Sequence, residues 1–256
     1  MSLVETIVAA GLFALLSLAL GFALKQSSQV WLSNSSHQDA TQLLRKASTR
    51  LEAELSMAST AQLSTTTVPA SLSSGGFDGD AVWFLSHINP YDGEAYLKSD
   101  GSPFWQCNVL YYTVIPQNVN DLNGGPVTGG VDPDGYESRC THKVLIRKVI
   151  DLAGPSDPND ESTEETLLTD PTPYLTRPTA FDLPNMQSEV DVVKAEPITS
   201  GLLFFRARVR AAPKGVEFDI RALSRDEARR VARVTGGSML DSQYTLQNRL
   251  FVSARN

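Results

Sequence analysis

Glu5 is the one ionisable side chain among the first 24 residues, in a stretch that from residue 3 reads Leu-Val-Glu-Thr-Ile-Val-Ala-Ala-Gly-Leu-Phe-Ala-Leu-Leu-Ser-Leu-Ala-Leu-Gly-Phe-Ala-Leu. A carboxylate near the start of an apolar helix is costly unless a cation compensates it. The first basic side chain is Lys25, so the nearer positive group is a free α-amino group on Met1, one helical turn away. Two readings follow. Either the carboxylate reaches headgroups or water, or it neutralises an amine, its own or a neighbour's, inside a subunit interface.

The remaining reactive types are sparse. Cys107 and Cys140 are the two cysteines, and both lie beyond the apolar stretch. If that part of the chain is exported, an even count favours a disulfide. Closing a loop of about 34 residues contributes roughly 3–4 kcal/mol on the chain-entropy model; a reduced, buried pair is the alternative. His37, His87 and His142 belong to no zinc pattern, and Cys140-Thr-His142 offers two ligands where a site needs four. Gly236-Gly-Ser-Met lacks the second glycine of a nucleophile elbow, and no phosphate-binding loop occurs.

The acidic segments Asp121-Leu-Asn-Gly, Asp132-Pro-Asp-Gly and Asp157-Pro-Asn-Asp160-Glu161 do not match the EF-hand register, so they read as turns rather than Ca²⁺ loops. Arg206, Arg208 and Arg210 alternate with Phe205, Ala207 and Val209, which reads as the wet face of a strand rather than an anion site. With 22 Lys+Arg against 29 Asp+Glu, the 256-residue chain carries −7 and no basic cluster, which argues against nucleic acid as a partner. The expectation is a protein with no catalytic residues, metal or cofactor.

These residues must be positioned by two kinds of element. Residues 3–24 form a helix roughly 33 Å long, enough to cross a bilayer. A secretory signal peptide is the rival, but such peptides place basic residues ahead of a shorter apolar run; here none precedes it, which suggests a leader already removed. Beyond Lys25, Ala40, Leu44, Ala47, Leu51, Leu55 and Ala58 recur at spacings of three and four, the stripe of an amphipathic helix. The first proline is Pro69, so one helix can run from about residue 2 to 58. Ala10, Ala14, Ser17 and Gly21, with Gly11 beside them, permit close helix–helix approach.

Residues 59–80 are rich in Ser and Thr and read as a solvated linker, with O-glycosylation a minor alternative. Strands are predicted at 81–85, 106–115, 143–150, 202–210 and 215–222, the last two as a hairpin, with a final strand in 244–256. Long loops are expected at 116–142 and 151–190, and Ser224-Arg-Asp-Glu227 reads as a capping box opening a helix through Val234.

The N-terminal residues resemble the mature N-terminus of type IV pilins and pseudopilins: Ser2-Leu3-Val4-Glu5, then Ile7-Val8-Ala9-Ala10-Gly11-Leu12-Phe13-Ala14-Leu15-Leu16. Met1 stands where the family usually has phenylalanine. A weaker likeness, to the J-type pseudopilins of type II secretion and to large minor pilins, rests on Leu43-Leu44-Arg45, Leu51-Glu52 and Leu55, on the strands at Val109–Val114 and Val144–Arg147, and on the terminal strand closing in Arg255-Asn256.

The resemblance implies cleavage by a prepilin peptidase and methylation of the Met1 amine. It also implies pairing of Glu5 with the N-terminal amine of a neighbouring subunit. The implied fold is α+β: a long N-terminal helical spine, apolar in 1–24 and amphipathic in 25–58, packed on an antiparallel β-sheet head spanning 81–256. The implied partners are copies of this chain or other pilins, the inner membrane before assembly, and the assembly machinery. The mature filament would lie outside a bacterial cell. Alternatives are a minor subunit or secretion pseudopilin at a filament tip, a membrane-anchored binding module that does not polymerise, and an exported enzyme.

Overall fold

The computed structural model describes residues 2–58, 62–68, 80–114, 143–152, 154, 156–157, 159–175, 186–226, 231–232 and 245–253. With no proline to interrupt it, the chain forms a single helix α1 (Leu3–Leu55, 53 residues), about 80 Å long. It closes at Ser56, whose hydroxyl donates to the Ala53 carbonyl at 3.0 Å. The stripe expected from the sequence is buried from Ala40 to Ala58, with Ser36 and Ser48 beside it.

The strands in chain order are β1 (Leu63–Thr67), β2 (Asp80–Ser86), β3 (Cys107–Val114), β4 (Lys143–Ile150), β5 (Val192–Ala211), β6 (Lys214–Leu223), β7 (Arg225–Asp226), β8 (Val231–Ala232) and β9 (Thr245–Val252). Seven of them make one curled antiparallel sheet ordered β1-β2-β3-β4-β5-β6-β9, while β7 and β8 pair separately. The fold is the expected α+β arrangement, a long helix laid on an antiparallel sheet.

Both faces of the sheet are covered, which is why every residue of β3 is buried instead of every second one. On one face Phe84, Val109, Tyr111, Leu145, Phe205 and Phe218 meet Leu44, Leu51 and Leu55 of α1. On the other, Trp83, Leu110, Tyr112 and Ile146 meet Leu168, Tyr174, Leu175 and Met186. Part of the segment expected as a loop at 151–190 is therefore a second packing layer. The 116–142 loop lies outside the described residues.

Three further expectations are corrected. Leu63–Thr67, placed in the linker, is the edge strand β1 paired with β2; threonines suit a half-buried strand as well as a solvated tether. β5 begins ten residues earlier than expected, because Val192–Leu202 pairs with β4 and Leu202–Ala211 with β6. The change of partner is marked by Gly201 at φ 76°, a conformation that favours glycine. No helix begins at Ser224: its hydroxyl lies 2.7 Å from the Ser36 hydroxyl of α1, and Arg225–Asp226 pairs with Val231–Ala232. The tertiary bond takes the group that would have capped a helix.

Candidate functional site

The functional candidate is α1 itself, and its geometry starts at Ser2. The Ser2 N–H donates to Glu5 Oε2 at 2.8 Å, and the Glu5 N–H donates to Ser2 Oγ at 3.3 Å. This is a capping box, which satisfies two of the N–H groups a helix start leaves without partners. Glu5 thus has a bonded role within its own chain that the reading from charge alone missed, although Ser-x-x-Glu was legible. Met1 and its amine lie outside the described residues.

Beyond the box the helix is bare. Leu3, Phe13 and Trp31 are 79%, 72% and 68% exposed, and nothing among the described residues covers the apolar half. Ala10, Ala14 and Ser17 are likewise exposed. A Cβ built at Gly11 or Gly21 meets no atom within 4 Å. The structure therefore leaves this small-residue strip open along the helix without supplying its partner. The helix is long and apolar enough to cross a membrane, and an apolar surface of this size is not left to water.

The other half of α1 is fixed to the head by a row of register-matched side chains. Tyr111 on β3 lies opposite Arg147 on β4, which lies opposite Glu196 on β5. Glu54, near the end of α1, accepts from Tyr111 Oη at 2.8 Å, Arg147 Nε at 2.9 Å and Arg50 Nε at 2.7 Å. Glu196 accepts from Arg147 Nη1 at 3.3 Å. Burial pushes the Tyr111 phenol upward, and the Glu54 carboxylate adds to it. Burial works against the Arg147 charge, but Glu54, Tyr111 and Glu196 together outweigh it and raise the guanidinium. At the edge of the contact, Asn248 Nδ2 donates to Ser48 Oγ at 2.7 Å.

Lys148, the next residue on β4, points to the opposite face, as neighbours on a strand must. Its ammonium, fully buried, donates to the Tyr174 carbonyl at 2.7 Å and to Glu189 at 2.6 Å. One strand thus holds both layers, through consecutive cations of opposite aim.

Where β5 parts from β4, two charged side chains take over its freed backbone groups. Lys143 Nζ donates to the Leu203 carbonyl at 2.7 Å, and Asp80 Oδ2 accepts the Ala207 N–H at 2.9 Å.

The remaining candidates fall as follows. Cys107 is a free, buried thiol whose Sγ donates to the Ile88 carbonyl at 3.6 Å; Cys140, its expected disulfide partner, lies outside the described residues. Burial pushes the Cys107 thiol up to about 12, the reverse of what a nucleophile needs. His37 is exposed on α1, and burial lowers His87; His142 lies outside the described residues.

Asp157 and Asp160 each spend Oδ1 on their own turns, accepting from the Asn159 and Ser162 N–H groups at 2.9 and 3.0 Å. No group of three His, Cys, Asp or Glu side chains able to hold a metal occurs among the described residues. Arg206, Arg208 and Arg210 do line the wetter side of β5, but Val209 is also exposed. No protein-family model, curated protein or solved structure matches the chain.

Proposed function

We propose that the protein is a structural subunit of a type IV pilus-like filament, without catalytic activity, held by α1 in the inner membrane before assembly and extracted from it into the filament. The observation that carries this reading is the division of α1. One continuous helix packs its C-terminal half on its own sheet and leaves about 33 Å of apolar surface bare. A bilayer and a bundle of like helices are the two surroundings that cover such a surface on all sides. Moving between them exchanges lipid for protein of similar polarity, so the transfer itself costs little.

Glu5 then sets the stagger between subunits. An unpaired carboxylate in that core costs several kcal/mol, and the amine of an adjoining copy is the cation that answers it. The variant Glu5→Gln keeps the capping geometry, since glutamine serves at that position too, and removes only the charge. It should leave the thermal stability of the subunit unchanged and abolish filaments in electron micrographs of sheared surface material. Wild-type filament levels in Glu5→Gln would refute the pairing.

A second reading, a membrane-anchored binding module that stays monomeric, is favoured by the capping box, which satisfies Glu5 without any neighbour. N-terminal sequencing and mass measurement of the native protein separate the readings. A methylated residue 1 supports the filament subunit, and an unmodified, dispersed protein supports the anchor.

A further inference from the structure

We propose that the groove between α1 and the first half of β5 receives the acidic surface formed by Asp157, Asp160 and Glu161 of a second copy of this chain. This head-to-tail contact rests on the filament reading above. The groove, about 680 Å³ in volume, is lined by Arg45, Lys46 and Arg50 on α1 and by Glu196 and Ile198 on β5. Arg50 is committed to Glu54 and reaches Glu196 at 3.5 Å. Arg45 and Lys46 are exposed, and neither has a hydrogen-bond or ion-pair partner among the described residues. The groove thus presents two uncompensated cations beside an apolar floor.

The complementary surface is on the same molecule. Asp157, Asp160 and Glu161 are exposed and form no salt bridge among the described residues. Their turns are built rather than loose: the Asp160 carboxylate caps the short 3-10 turn Glu161–Thr163, and Thr163 Oγ1 accepts the Asp157 N–H at 2.9 Å. The neighbouring cation, Lys98, is already paired with Glu164 at 2.7 Å.

Placement decides the symmetry. The groove belongs to the face of the sheet that α1 covers, whereas the acidic turn leads into the layer on the opposite face, which begins with the Glu165 N–H donating to the Trp105 carbonyl at 2.9 Å. Each copy therefore gives its turn to one neighbour and its groove to another. Such a heterologous contact propagates instead of closing into a two-fold dimer. Exposed ion pairs are weak and screened by salt, so the contact sets orientation between heads while the apolar helices supply the cohesion.

The test uses full-length chains carrying Arg45→Glu with Lys46→Glu, Asp160→Lys with Glu161→Lys, or all four changes, with pelleted filament as the readout. Each face reversed alone is expected to lower the yield about tenfold or more at low salt, as like charges meet, and the fourfold variant to recover it. All substituted side chains are exposed, and a thermal melt checks each variant's fold; Arg45→Gln with Lys46→Gln serves if a reversal misfolds, with a smaller loss expected.

Reversals that leave the yield at the wild-type level, or a fourfold variant that stays deficient, overturn the contact. Loss confined to the Arg45/Lys46 reversal, unrescued and accompanied by lost binding to vesicles of anionic lipid, also overturns it and assigns the groove to lipid headgroups. Wild-type chains that never pellet refute the filament reading itself, whereas wild-type filaments indifferent to the reversals refute only this contact.

Discussion

Cys107 shows how far a side chain's chemistry depends on where it is buried. Burial disfavours the thiolate and pushes the Cys107 thiol up to about 12. An unfolded chain ionises its cysteine near 8.5. The native state keeps its proton to higher pH, so this group's contribution to stability is complete below about 8.5 and is lost as pH rises towards 12. Tyr111, also raised by burial, acts in the same direction at the upper end of that range. Denaturation midpoints should therefore fall between pH 9 and 12, and Cys107→Ala should flatten the fall. In a Cys140→Ser background, Cys107 should resist alkylation until the protein unfolds. A thiol that reacts freely in the native state would contradict its placement.

Between α1 and the sheet, charge and close approach matter as much as apolar contact. Glu54 gathers Tyr111, Arg147 and Arg50 at 2.7–2.9 Å, and the side chains of Glu54 and Arg147 are only 11% and 12% exposed. Glu54→Gln leaves Arg147 with Glu196 alone, and a cost of about 1–3 kcal/mol is expected from urea denaturation, below that of breaking a fully buried pair. At the other end of the sheet, a Cβ on Gly215 would stand 2.3 Å from the Val252 carbonyl oxygen and 2.7 Å from the Phe251 ring. Gly215→Ala should therefore push β9 off β6 and destabilise the head by about 1–3 kcal/mol. Faster hydrogen exchange confined at first to β9 is the accompanying signature.

For the protein as one object, the bare half of α1 contributes nothing to the head's own packing. Gly11→Leu and Gly21→Leu should leave the melting temperature within experimental error, because nothing stands within 4 Å of either position. The same changes should reduce filament yield sharply if helices approach each other along the Ala10, Ala14, Ser17 and Gly21 strip, where small residues let backbones meet. Equal yields would show that the helices do not approach each other along this strip. The two outcomes measure different things, folding in one copy and contact between copies, and the division of α1 is what allows them to be separated.

Periodicity and composition alone were enough to identify α1, the stripe from Ala40 to Ala58, most strands and the hairpin closing in β6, because each reflects forces acting within about ten residues: helical spacing, alternation and turn chemistry. The Ser2–Glu5 box was equally local, although charge reasoning looked past it. What sequence could not reveal came from contacts across the fold. Asn108, Lys148 and Trp83 pin the 159–175 layer through bonds spanning 26 to 85 residues, and the Glu54 row depends on three strands in matched register. Ser224 abandons its helix-capping pattern for a hydroxyl 188 positions away. Such pairings depend on long-range register and burial, which a linear pattern does not encode, and there the folded sheet had the final word.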